Sequence, residues 1–107
     1  MKSFDDRQKA FEAEFKRDQE LVFRIVARRN RLLGLWAAER MGMPVGEPAE
    51  AYAKTVVSAD FEAPGDDDVV RKVMDDLAAG GVGASEAEVR AELARAGEEA
   101  RRQLAGR

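Results

Sequence analysis

The chain has 107 residues, 36% of them charged, with a formal net charge of −3 and a pI near 5.1. That length suits one domain with a modest core. The absence of Cys and His excludes a disulfide framework, thiolate chemistry, the commonest general base and the commonest transition-metal ligand.

No apolar run reaches the roughly 18 residues of a membrane span. The start, Met-Lys-Ser-Phe-Asp-Asp, has no apolar signal region. A cytoplasmic protein without direct membrane insertion is therefore expected. The charge is uneven: residues 1–43 carry ten basic against seven acidic side chains, and residues 44–107 eight against fourteen. An acidic chain is a poor nucleic-acid binder, so no nucleic-acid partner is expected. The basic half suits an acidic protein or a phosphate group.

Residues 1–19 are densely charged, with the two signs near balance. Ser3 suits a helix cap, with Asp5 and Asp6 in the first turn. Phe4, Phe11 and Phe15 fall within a helical arc of about 40°. Asp18 interrupts the apolar line that would join them to the next stretch. Either the three Phe side chains are the outer end of the core, or they are kept for a partner's groove. A narrow apolar stripe among charges buries little area per residue ordered, so this segment reads as mobile or marginally helical alone.

Residues 20–41 predict a long helix. Leu21, Val22, Ile25, Val26, Leu32, Leu33, Trp36 and Ala37 share one broad arc, which predicts a core face with Trp36 in the core. Arg24, Arg28 and Arg31 form a basic stripe with Glu20 nearby. Its plain reading is surface helix pairs such as Glu20 with Arg24; an acidic partner or a bound anion is the other. Arg29 and Arg40 fall inside the arc, their stems expected along the core and their heads in water. Gly34 weakens the run by about 1 kcal/mol relative to Ala.

Gly42-Met43-Pro44 ends this helix. Residues 48–62 read as a second helix, with Pro48 in its first turn and Ala49, Tyr52, Ala53, Val56, Val57 and Phe61 in helical period. Ala63-Pro64-Gly65 is a break. Asp66-Asp67-Asp68 opens a third helix; their spacing lacks the pattern of a calcium loop, so no metal site is expected and they read as acids placed on free N–H groups. Val69, Val70, Val73, Met74 and Leu77 supply its apolar face. Gly80-Gly81 stops it. Ser85 and Glu88 form a capping box opening a fourth helix, whose thin stripe is Val89, Leu93, Ala96, Ala100 and Leu104, with Gly97 inside it. Fraying is expected from Arg101. The fold class is all-α, a four-helix bundle whose first helix is much the longest, with 1–19 a separate segment and 20–107 the bundle.

No catalytic set emerges. Ser3, Ser58 and Ser85 have no His to activate them. The Gly80–Gly83 run lacks a Lys and follows a helix, so it is no phosphate loop. Asp75 and Asp76, adjacent in sequence, diverge on a helix and are expected in solvent. Two functions stay open: a regulatory interaction subunit, and a small-ligand module holding a phosphate on the Arg face.

The segments Phe4–Phe15 (FDDRQKAFEAEF), Ala27–Glu39 (ARRNRLLGLWAAE), Ala51–Glu62 and Gly65–Leu77 resemble the zeta subunit of alphaproteobacterial F-type ATP synthases. The likeness covers nearly the whole chain in the same order and is weaker beyond Ser85. It implies an inhibitor of ATP hydrolysis by the catalytic head, not an enzyme, whose partners are the alpha, beta and gamma subunits. It implies a four-helix bundle and an N-terminal segment that becomes an inhibitory helix wedged at that interface, here Met1–Gln19. Phe4, Arg7, Phe11, Phe15, Lys16 and Arg17 would then contact the partner. The protein would be peripheral to the inner membrane through the synthase and monomeric when free. No cofactor is expected. The alternative is a small helical module that interacts without inhibiting, or binds ATP or ADP weakly through Arg28, Arg29 and Arg31.

Overall fold

The computed structural model describes residues 2–60 and 65–105, with side chains described from Lys16 onward. Four helices follow in order: α1 Lys2–Arg40, α2 Glu47–Ala59, α3 Asp67–Ala79 and α4 Glu86–Ala105. There is no strand among the described residues. The fold is an all-α bundle, as the periodicity predicts.

α1 is one helix through Asp18, because an exposed charged side chain breaks an apolar stripe without breaking the backbone ladder. Its 39 residues span about 58 Å at about 1.5 Å per residue. The whole molecule measures 66 × 26 × 21 Å, so α1 sets its length. The cap expected at Ser3 and the Phe4, Phe11 and Phe15 stripe involve side chains outside the described residues, as does Phe61.

The stops are built from glycine. Gly42 has φ 80°; its N–H donates to the Glu39 carbonyl (3.0 Å) and the Met43 N–H to the Ala38 carbonyl (2.9 Å). That pair of bonds is the Schellman closure. The same closure recurs at Gly81, φ 77°, with Val82 N–H donating to Leu77 at 2.8 Å and Gly81 N–H to Ala78 at 3.0 Å. α2 starts one residue before Pro48 and spans Glu47–Ala59; the last residues of the expected helix, 61 and 62, lie outside the described residues.

α2 and α4 both run back along α1. Gly34 lies against Ala53 and Val56, and Asp60 lines one groove with Val22 and Val26. On the other side Arg40 pairs with Glu88 and Arg28 with Gln103. α3 closes the bundle against α2 and α4. Leu33, Ala37, Val56, Val69, Val70, Val73, Leu77, Val89 and Leu93 make the core. A Cβ at Gly34 would sit 2.7 Å from the Ala53 Cα. The residue that weakens α1 by propensity is thus what lets α1 and α2 approach.

Several expectations are corrected. Leu21 and Val22 are 45% and 59% exposed, because the helices that would cover them end alongside Ile25 and Val26. Trp36 is half-buried at the core edge, with the Arg40 guanidinium 5.4 Å from its ring centroid. Asn30, which periodicity does not place in the core, is fully buried. α4 stays helical to Ala105, where the Arg28–Gln103 bond of 2.6 Å ties its last turns to α1.

The acids at the start of α3 do not cap it. Asp66 holds the N-cap position with helical φ −81° and ψ −15° and makes no cap bond; capping needs an extended backbone there. Its carboxylate instead accepts from Arg29 at 3.0 Å. Asp67 pairs with Arg90 at 2.8 Å and Asp68 with Arg71 at 3.3 Å. Ser85 does cap α4, accepting from the Glu88 N–H at 3.1 Å.

Candidate protein-interaction site

Between Lys16 and Arg24 every residue of α1 is exposed. Packing begins at Ile25 and becomes continuous through Asn30, Leu33 and Ala37. At the point of departure three large apolar side chains meet solvent: Leu21, Val22 and Phe23, the last 56% exposed. Val22, Phe23 and Val26 form the floor of an open groove of about 560 Å³, with Asp18, Gln19 and Asp60 on its rim. Clustered exposed apolar residues rimmed by polar ones mark a contact surface. Lys16, an expected partner contact, lies in an adjoining recess with Gln19, Glu20, Phe23 and Arg24. Arg17 is exposed on the same turns. The side chains of Phe4, Arg7, Phe11 and Phe15 lie outside the described residues.

The arginines expected to share an anion diverge. Arg28 donates to Gln103 on α4 at 2.6 Å. Arg29 turns to Asp66 and its Nε donates to Asn30 Oδ1 at 3.0 Å. Arg31 grips Glu50 on α2 with two bonds, 3.1 and 2.6 Å. A bidentate pair of this kind fixes geometry as well as charge. Each guanidinium therefore ties α1 to a different neighbour. Arg29 fulfils only half of its expectation: its side chain is 14% exposed, so its head is largely enclosed and paired.

Other polar groups hold the bundle together. The Tyr52 hydroxyl donates to Asp76 Oδ2 at 2.8 Å, and Lys72 donates to the same oxygen at 2.9 Å. Asp76 is thus engaged where solvation was expected. Burial, then the Asp76 carboxylate, push the Tyr52 phenol well above its ordinary range, so it stays protonated and is no nucleophile. The Arg90 guanidinium bonded to Asp67 holds that carboxyl below its usual range. A groove of about 760 Å³ between α2 and α3 is lined by Lys54, Arg71 and Lys72 together with Asp68, Asp75 and Asp76; its charges are of both signs and several neutralise one another. Among the described residues no cluster of three metal-ligating side chains occurs, and no helix is long and apolar enough to cross a membrane.

Sequence reasoning missed Asn30 and the exposure of Leu21, Val22 and Phe23. Asn30 had a usable signal, since its position on the helix wheel adjoins Ala37. The exposure had none, because it depends on where α2 and α4 end.

Fold and surface together define an all-α bundle whose first helix runs on beyond it, exposed over the described residues Lys16 to Arg24. The chain belongs to the ATPase inhibitor subunit zeta family, which it matches over residues 1–103. It is a regulatory subunit and not an enzyme. Comparison with curated proteins gives no significant match. The family match includes the arm as well as the bundle, so both belong to the inhibitor subunit.

Proposed function

We propose that this chain blocks ATP hydrolysis by the catalytic head of an F-type ATP synthase by seating the start of α1, residues 1–19, at an alpha/beta/gamma interface. The observation that supports this most is the shape of α1. It leaves the bundle as an arm whose described portion, Lys16 to Arg24, is exposed on every side. An arm of this kind enters a cleft while the bundle stays outside and keeps it locally concentrated.

Phe4, Phe11 and Phe15 anchor the arm, each contributing about 1.5–3 kcal/mol if fully buried. Arg7, Lys16 and Arg17 set its register and discourage wrong partners. An interface that must open and close on each turn is stopped by a wedge that never touches the chemistry. Hydrolytic rotation draws the wedge in; rotation in the direction of synthesis expels it. Arg28, Arg29 and Arg31 contribute to the bundle and not to an inhibitory contact.

The test is ATP hydrolysis by a cognate synthase stripped of this subunit, titrated with the full chain and with residues 20–107. The full chain is expected to suppress hydrolysis and the shortened chain to leave it unchanged. Equal inhibition by both would place the effect in the bundle and remove the wedge.

A further inference from the structure

The buried face of α1 follows an eleven-residue pattern. Within the bundle it reads Val26, Asn30, Leu33: apolar, amide, apolar. Eleven residues upstream the same register reads Phe15, Gln19, Val22, and eleven further it reads Phe4, Gln8, Phe11. An eleven-residue repeat closes on itself after about three turns, at about 3.67 residues per turn. All three triplets therefore share one side of α1.

Among the described side chains of this register, cover by the chain itself changes along the helix. Asn30 and Leu33 are fully buried and Val26 is half-buried, whereas Val22 is 59% exposed and Gln19 is exposed. The face is thus buried by helices at Asn30 and Leu33 and left open at Gln19 and Val22. Beside Gln19 and Val22 stand two carboxylates, Asp18 and Asp60, on the groove rim. Neither makes an ion pair among the described residues.

We propose that this departure point is a second anchor on the same partner. The Gln19–Val22–Val26 face packs against an apolar helical surface of the ATP synthase catalytic head, and a basic side chain of that surface sits between Asp18 and Asp60. The inference rests on the proposed function for the identity of the partner. Continuity of the register indicates a helical surface, since helices cover the identical pattern in the bundle. The two rim acids require a cation opposite, because two carboxylates brought out of water need a partner. The anchor joins the bundle to the inserted arm, so it holds the arm's entry angle as well as its depth.

The experiment measures binding of the full chain to the stripped catalytic head, separately from hydrolysis. The variants are Val22→Asp on this face, Asp60→Lys on the rim and, as a control, Glu47→Lys at the opposite, exposed end of α2. Val22→Asp is expected to weaken binding at least about ten-fold, equivalent to about 1.4 kcal/mol. Asp60→Lys is expected to weaken it several-fold, and Glu47→Lys to leave it within about two-fold. Unchanged binding by Val22→Asp would overturn the anchor, and unchanged binding by Asp60→Lys would overturn the basic rim.

Two further readouts test other occupants. A wild-type dimer that Val22→Asp converts to monomer assigns the face to a second copy. A melting temperature for free Val22→Asp as low as that of Val56→Asp assigns it to the chain's own residues 61–64. Either result overturns the proposal. The two readings separate cleanly: a wild type that binds without inhibiting removes the wedge alone, and inhibition by an equally tight Val22→Asp removes the anchor alone.

Discussion

Gly34 decides how closely α1 and α2 approach, against its own helix propensity. Gly34→Ala gains about 1 kcal/mol of propensity and must push aside backbone, since its Cβ would meet the Ala53 Cα at 2.7 Å. Overpacking of this kind costs about 1–3 kcal/mol. The variant is therefore expected to lower stability in urea unfolding, although Ala is the better helix former. Tyr52 makes the second residue-level case. Its phenol, raised by burial and by Asp76, contributes stability that is fully present below the unfolded-state value of about 10. That contribution is lost as pH rises toward the folded value. Tyr52→Phe is expected to be less stable at pH 7 by about 0.5–1.5 kcal/mol. The gap should narrow above pH 10, read as melting temperature against pH for both chains. Asp67 has the opposite sign: its lowered value contributes above its unfolded pKa and is lost as pH falls through the folded one.

At the scale of the element, α1 is two helices in one. From Ile25 onward it is held by the core, by Arg31 on Glu50 and by Arg28 on Gln103. From Lys16 to Arg24 it is exposed. Helical backbone without tertiary cover opens at low free energy. Amide exchange is expected to be fast over residues 16–24 and slow over residues 30–38, with the change falling near Ile25. Residues 16–19 are exposed, and an arm that serves only the partner adds nothing to the core, so on the proposed function the melting temperature of 20–107 should stay within a few degrees of the full chain. A large fall would show that the arm supports the bundle. α4 illustrates the same logic at its start: Ser85→Ala deletes the acceptor for the Glu88 N–H and should cost about 0.5–2 kcal/mol.

At the scale of the molecule, shape and charge carry the function. On the proposed mechanism, a body 66 Å long and 26 × 21 Å across would bring one end into a cleft while the other remains outside it. The first 43 residues are net basic and the remainder net acidic. Binding in which Lys and Arg side chains of the arm meet acidic groups is weakened by salt, since exposed pairs are screened over about 8–10 Å near physiological ionic strength. Affinity for the catalytic head is expected to fall as salt is raised, mainly through slower association. An affinity indifferent to salt would leave the apolar contacts alone in charge.

Much of this was legible beforehand. The helix stops at Gly42 and Gly81, the cap at Ser85 and the apolar face Val69, Val70, Val73 and Leu77 are local or periodic, so chain order alone prescribes them. The likeness that runs from Phe4 to Leu77 pointed to the zeta family, and the match over residues 1–103 establishes it. What tertiary structure decided was coverage. Periodicity gives Leu21, Val22 and Leu33 the same face, but α2 and α4 end alongside Ile25 and Val26, so Leu33 is buried while Leu21 and Val22 are not. It also chose partners. Asp66 reads as a helix cap until its helical backbone and the nearby Arg29 direct it elsewhere. A helical repeat defines a direction around the helix axis; only the lengths and positions of its neighbours determine how much of that face meets protein and how much is left for a partner.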